Sequence, residues 1–483
     1  MSSFSGIKSL LSDSLIYGIS DALSRMLSIF LVPLYTAVLL PSDYGIMGLI
    51  TSGYSLLLLV VNLNLDNSAA RWFYDTDDVY DRKFTISTWL WFYLGAALGI
   101  SIILLFFSDD IACILLDDVN IGFLVKIVAV TIPLSTCSTV LMKLFRFERK
   151  PKRVMAFSLF QSLLMIALNC YLVLYLREGL QGIYLSQLVT FLITFFISIY
   201  LLRKWLISPF KMSLQRLKEM LKFSLPLFPA SIAYWTINLS GLFFLNKYCD
   251  KSEVGLYQIG TSFASAVALI TGAFQSAWGP FAYSIYKKED SGRIFSQVAN
   301  LYIVGIGFIC MLLGVFAFDI LQIFTNSNYY SASWVIAILA YNYFFIGLSY
   351  IASLGAGIAK NNKAYGMIML ISACLLICLN VILVPIYGKV GSAIATCISQ
   401  AVIPVYMFYK SQKLYFIPYK LTKSIVVFII LVVLMCIGGN IYLSNWWVQI
   451  GYKVIIAICG VFIIGKAYPI IFINILKVGN LFK

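Results

Sequence analysis

Apolar stretches of membrane-crossing length follow one another along almost the whole chain, and no other feature limits its fold so strongly. A helix needs about 20 residues to cross the hydrocarbon of a bilayer. Fourteen runs of that kind are present, at 13–39, 45–66, 84–107, 119–142, 154–176, 180–202, 223–247, 254–279, 294–318, 329–351, 364–386, 390–409, 421–440 and 446–469. Backbone groups inside a bilayer must find hydrogen-bond partners within a helix or a closed barrel, and these runs are far longer than barrel strands. Only 11% of the 483 residues are charged and 61% are hydrophobic, too little charge to clothe a water-soluble fold of this length. The expected fold is an all-α polytopic membrane protein with no soluble domain. The stretch from Met1 to Ser14 is mildly polar and runs straight into the first span, so no cleaved signal peptide is expected.

Loop charges set the orientation. Alternate connections collect Arg71, Arg82 and Lys83, then Lys143, Arg146, Arg149, Lys150, Lys152 and Arg153, and further clusters follow at 203–222, 287–293, 360–363 and 410–423. The opposite loops hold only Arg177, Lys247, Lys251, Lys389 and Lys453, and one of them carries Asp109, Asp110, Asp117 and Asp118. Basic loops stay in the cytoplasm, so both termini are expected there and the number of spans is even. Topology and attraction to anionic lipid account for the net charge of +15, and no nucleic-acid partner is needed. The longest connection, 203–222, is basic and amphipathic (Trp205, Leu206, Phe210, Met212, Leu217, Met220 and Leu221) and is expected to lie on the inner surface as a linker.

Composition also removes whole classes of chemistry. Histidine is absent, and with it the commonest general base and metal ligand. The ten cysteines form no CxxC pair and sit mostly in apolar runs; neither metal nor cofactor is expected. No phosphate-binding Gly-x-x-x-x-Gly-Lys-Ser/Thr loop occurs, so the chain is not expected to hydrolyse ATP. The acidic run Asp75, Asp77, Asp78 and Asp81 carries no nucleotide-binding pattern and suits a solvated loop. An enzyme is therefore not expected, and no catalytic residue is assigned.

The chain nearly repeats itself at an offset close to 210 residues. Ser42-Asp43-Tyr44-Gly45 falls on Ser252-Glu253-Val254-Gly255, Lys150 on Lys360, and Leu168-Asn169 on Leu379-Asn380. Gly179-Leu180-Gln181-Gly182 falls on Gly388-Lys389-Val390-Gly391, where Gly-x-x-Gly suits a tight turn followed by close helix packing. A six-helix unit repeats the same way up, which implies a pseudo-twofold axis along the membrane normal and a cleft between two bundles. The expected division is a six-helix bundle at 1–203, an amphipathic cytoplasmic linker at 204–222, a second six-helix bundle at 223–410, and spans thirteen and fourteen at 411–483.

Several motifs in order resemble the Wzx-type oligosaccharide and polysaccharide flippases of the multidrug/oligosaccharidyl-lipid/polysaccharide (MOP) exporter superfamily. They are Leu40-Pro41-Ser42-Asp43-Tyr44-Gly45, Ala70-Arg71-Trp72-Phe73-Tyr74, Ser224-Leu225-Pro226-Leu227-Phe228-Pro229, Ala277-Trp278-Gly279-Pro280-Phe281, and the stretch from Leu379-Asn380 to Ala395-Thr396. The resemblance implies transport of an undecaprenyl-diphosphate-linked oligosaccharide across the bacterial inner membrane for O-antigen, lipopolysaccharide or capsule synthesis, with a polymerase and glycosyltransferases as pathway partners. Relatives often carry an Asp-Arg pair where this chain has Gly241-Leu242, and no binding role is carried onto that pair. Two alternatives stand beside this reading: a cation-coupled multidrug antiporter of the same superfamily, and a membrane-embedded polymerase or glycosyltransferase.

Candidate substrate-binding residues are the polar side chains within spans. Asp21 and Arg25 lie one helical turn apart near mid-membrane; they either tie helices together as an ion pair or present a guanidinium to a diphosphate. Asp21 is also the candidate site for ion coupling. Arg71 at the inner end of the second span is a positive-inside anchor or a first contact for the diphosphate. Lys126 either snorkels to the outer interface or faces a cavity. Asn238, Gln275 and Trp278 offer hydrogen bonds and a sugar-stacking surface, or serve helix packing.

Overall fold

A computed structural model describes residues 31–209, 212–361, 363–441, 443 and 445–469. Among them helices are joined by short turns, and no strand occurs. Ten helices are long and apolar enough to cross a membrane. One of these, Lys363–Leu414, is two helices meeting at Gly388. Two bent pairs also pass the same test: Leu214–Leu239 with Gly241–Tyr248 (49°), and Lys251–Ala264 with Ala266–Ile285 (43°). Every expected span from the second to the fourteenth thus has a helical counterpart, while most of the first lies outside the described residues. Large apolar side chains such as Phe196, Ile382, Val433, Ile458 and Phe462 point outward, as suits helices in contact with lipid.

The chain forms two compact units, one ending at Gly255 and the other beginning at Leu256. The first contains α1 (Pro41–Asn62), α2 (Leu65–Asp75), α3 (Val79–Phe106), α4 (Ser108–Leu116), α5 (Gly122–Phe147), α6 (Pro151–Asn169), α7 (Gly179–Leu202), α8 (Leu214–Ser224), α9 (Phe228–Leu239) and α10 (Gly241–Tyr248). Its core gathers Leu65, Trp89, Leu90, Tyr93, Ile132 and Val140. On α7 the buried Ser186, Thr190, Thr194 and Ser198 recur every four residues. The hydroxyls of Ser186, Thr190 and Thr194 donate to the carbonyl one turn back (2.7, 2.7 and 2.9 Å), and that of Ser198 donates to Ser138 of α5 (3.4 Å), so the stripe is small and closely approached. Helix α5 packs closely against that helix.

The amphipathic segment is docked on this unit as α8. Leu217 and Met220 are buried, the Ser68 hydroxyl donates to the Met220 carbonyl (2.7 Å), and Trp72 meets Phe223 edge to face. Arg216 grips Asp81 of α3 through both guanidinium amino groups (2.7 and 3.4 Å) and Thr85 through one (2.9 Å). The acidic run is therefore structural: Asp81 anchors α8, Asp78 caps α3, and Asp77 pairs with Arg82 (2.8 Å).

The second unit takes in most of α11 (Lys251–Ala264), then α12 (Ala266–Ile285), α13 (Ser291–Val315), α14 (Ala317–Phe324), α15 (Ser333–Ala352), α16 (Leu354–Ile358), α17 (Lys363–Leu414), α18 (Thr422–Gly439) and α19 (Trp446–Ala467). Phe295, Tyr302, Met311, Ala340 and Phe344 lie at its centre, and Leu431 and Met435 of α18 join the same core.

Each unit carries its copy of the repeated glycine motif, and in both the first glycine has a positive φ. Gly179 and Gly388 have φ of 54° and 53°, a range that favours glycine. Three residues on, a Cβ at Gly182 would crowd Leu172, and one at Gly391 would strike the Leu383 carbonyl at 2.3 Å. The first glycine reverses the chain and the second admits the preceding helix. The other repeated glycines face each other. A Cβ at Gly45 would lie 2.1 Å from the Lys251 carbonyl, and one at Gly255 would lie 1.7 Å from that of Pro41.

Candidate functional site

Gln275 and Trp278 come together in the second unit. They sit one turn apart on α12 and line a cavity of about 390 Å³, with Tyr283 of the same helix, Tyr350 and Ser353 after it in the chain, Gly357 of α16, and Tyr365 at the start of α17. Gln275 is exposed and presents its amide. Trp278 is held in the wall, stacked on Phe274 (ring centroids 5.7 Å apart) and edge-on to Phe295 (5.8 Å). It is 4% exposed, yet its indole N–H is buried with no acceptor. An orphaned buried donor is worth about 1–3 kcal/mol to any group that satisfies it. Across the cavity Tyr283 reaches over Gly357, where a Cβ would meet its hydroxyl at 2.2 Å. Aromatic faces with an amide and hydroxyls are the surface a sugar ring takes, since C–H faces stack while hydroxyls hydrogen-bond.

The remaining candidates belong to the first unit or lie outside the described residues. Asp21 and Arg25 are in the latter group. Arg71 stacks over Phe223 (4.7 Å to the ring centroid) and approaches Asp75 at 3.9 Å with both side chains mostly exposed. Lys126 pairs with Asp109 (3.2 Å) at an exposed end of α5. Asn238 is half-buried and donates to the Tyr234 carbonyl of its own helix (2.8 Å). None of these three lines the cavity of Gln275 and Trp278.

Two charge clusters escaped the sequence reading. Lys143 and Arg146, counted above as loop cations, are within α5, which runs on to Phe147. Asp66 meets the Lys143 ammonium at 2.7 Å. The Asn62 amide donates to the other Asp66 oxygen (3.0 Å), and the Trp89 indole donates to Asn62 (3.1 Å). Lys143 and Arg146 line a cavity of about 340 Å³ with Ser138, Thr139, Gln161 and Phe191. In the second unit Lys453, expected in an outer loop, is fully buried on α19 and bonds Asp319 of α14 (2.5 Å), whose second oxygen accepts from Gln449 (2.7 Å). No local pattern announces either pair, because the partners are far apart in the chain. Among the described residues no cluster of acidic and cysteine side chains suits a metal ion.

Comparison with known proteins bears on the same stretch of chain. A family model described as polysaccharide biosynthesis protein matches residues 36–295, more than half the sequence. The chain belongs to that family. The match includes Arg71, Lys126, Asn238, Gln275 and Trp278. Among curated proteins none matches the family member by sequence. Solved structures share its fold. A lipid II flippase, MurJ, in an inward closed conformation superposes with a TM-score of 0.75 at 16% identity, covering 95% of this chain and 100% of that one. An inward-facing multidrug resistance transporter of the MATE family gives 0.66 at 16% identity, covering 84% and 97%. A MATE protein in a straight conformation gives 0.61 at 15%, covering 84% and 95%.

Proposed function

We propose that this protein is a flippase that moves an undecaprenyl-diphosphate-linked oligosaccharide from the cytoplasmic to the outer leaflet of the bacterial inner membrane, by alternating access, for surface polysaccharide synthesis. The observation that carries the reading is the cavity joining Gln275, Trp278 and three tyrosines, with a buried indole N–H lacking an acceptor. The ring stacks on the tyrosines and Gln275 hydrogen-bonds its rim, and the Trp278 N–H, closed off in this conformation, takes a sugar hydroxyl as its acceptor when the wall moves during alternating access. Membership of a polysaccharide biosynthesis family supports a saccharide cargo.

The fold is shared with both a lipid flippase and drug transporters. The MurJ likeness extends over 95% of the chain and the MATE likeness over 84%. That favours a lipid-linked cargo over a free drug. Nothing covalent happens to the cargo in this account: the residues bind, reorient and release. Arg25 and Arg71 remain the proposed contacts for the diphosphate, and Asp21 the proposed coupling site.

Trp278→Phe tests the reading because it removes the N–H and keeps an aromatic ring. Loss of an orphaned donor leaves folding unharmed, whereas loss of a sugar contact slows export by about fivefold to tenfold. Surface polysaccharide is measured in cells whose own exporter has been deleted, alongside protein level. Normal display by Trp278→Phe would remove the sugar-binding role of this pocket.

A further inference from the structure

The cavity of about 340 Å³ in the first unit has a chemistry that the sugar pocket lacks. Lys143 and Arg146 stand one turn apart on α5, with Thr139 one turn further back and Gln161 opposite on α6. A point-charge ammonium beside a guanidinium fork, with an amide donor opposite, is a set built for phosphate oxygens, while the Thr139 hydroxyl is spent on the Ser135 carbonyl (3.0 Å). No carboxylate is among the described residues that line this cavity. The carboxylate partner of Lys143 stands outside the lining: Asp66 holds it at 2.7 Å and is itself held by Asn62. Asp66 sits just past the left-handed break at Leu63 and Asn64 that separates α1 from α2. Loop charges assign this end of α5 to the cytoplasmic side, where a phosphate-bearing lipid arrives.

We propose that the pocket formed by Thr139, Lys143, Arg146 and Gln161 binds the phosphate group of a lipid, which draws Lys143 away from Asp66. Binding then trades one partner of Lys143 for another and frees the carboxylate beside the α1–α2 break. Competition between Asp66 and the ligand for one ammonium gives the site a signature of opposite signs: removing the cation weakens binding, while neutralising the acid strengthens it. An ion pair that merely braced the helices would respond to both changes in the same direction.

The inference rests on the flippase reading only for which lipid supplies the phosphate. Farnesyl diphosphate, a short polyprenyl diphosphate, and phosphatidylglycerol are titrated separately and in competition against the full-length protein in an uncharged detergent, with binding followed by native mass spectrometry. The expected result is saturable binding of farnesyl diphosphate, weakened about tenfold or more by Lys143→Met and tightened severalfold by Asp66→Asn. The double variant Lys143→Met/Asp66→Asn carries no unpaired charge and so keeps its fold; it is expected to bind as weakly as Lys143→Met. Binding of phosphatidylglycerol that farnesyl diphosphate does not displace, with the same pattern among variants, supports the phosphate site and assigns it to bulk lipid; the export assay on Trp278 then judges the flippase reading separately. Unchanged affinity for both probes in Lys143→Met, or weaker binding in Asp66→Asn, overturns the proposal.

Discussion

Replacing Lys453 with methionine strips the buried Asp319 carboxylate of its cation. Lys453 has no exposed surface and the Asp319 side chain is only 5% exposed, so water cannot take over the lost role. Gln449 still donates to one carboxylate oxygen, and its own carbonyl accepts from the Leu443 N–H. Breaking a buried pair from one side costs about 3–5 kcal/mol, and the remaining amide bond puts this case near the lower end. The double variant Asp319→Asn/Lys453→Met behaves differently. The introduced asparagine keeps an acceptor for Gln449, no charge stays buried, and stability returns to within about 1 kcal/mol of the parent. Because α14 and α19 meet through this pair, the single variant loosens the last helix first. Fluorescence-detected size-exclusion chromatography after graded heating in detergent measures the loss. The expected order is parent and double variant together, with Lys453→Met melting several degrees lower. A double variant no better than the single, or a single variant as stable as the parent, would refute the argument that charge compensation holds the pair.

Two further outcomes follow from particular contacts and a third from the sequence. Gly255→Ala places a methyl 1.7 Å from the Pro41 carbonyl, which only backbone movement relieves, so folded protein falls; Gly272→Ala, with open space around it, gains up to about 1 kcal/mol, and both are measured by the same heating assay. Arg216→Met removes the grip on Asp81 and Thr85, weakening the seat of α8 by about 1–2 kcal/mol, so that a cysteine placed at the buried position 220 becomes reactive to maleimide. Arg25→Ala abolishes export at normal protein level if its guanidinium takes the diphosphate, and Arg25→Lys retains part of it; lowered protein level restored by Asp21→Asn with Arg25→Gln would assign the pair to helix tethering instead.

Much of the architecture was legible because hydrophobic length and loop charge are local properties. Thirteen expected spans have helical counterparts, and the glycines picked out by the repeat do what glycine alone permits, reversing the chain at Gly179 and Gly388 and admitting a neighbour at Gly182 and Gly391. That Gly45 and Gly255 would face each other was not visible, since the repeat shows equivalence and says nothing of contact. Bends after Leu239 and Ala264 have no proline to announce them. The site was half legible. Gln275 and Trp278 share a face of one helix, so spacing alone put them together. Lys143 looked like an ordinary anchor because its partner Asp66 lies 77 residues away, and Lys453 looked like a loop cation because Asp319 lies 134 residues away. Long-range charge pairs leave no periodic trace.

If a lipid-linked oligosaccharide crosses the bilayer through this protein, purified protein and lipid suffice for it. Proteoliposomes holding an undecaprenyl-diphosphate-linked oligosaccharide with a fluorophore on its sugar end test it, with dithionite added outside to quench every label that reaches the outer leaflet. Protein-free vesicles lose about half of the signal and then stop, because the inner leaflet is protected. Vesicles with the parent protein are expected to go on to lose nearly all of it, and Trp278→Phe slows this second phase. A signal that halts at one half with active, folded protein present, while the same vesicles expel a cationic dye, would contradict the flippase and establish the antiporter in its place.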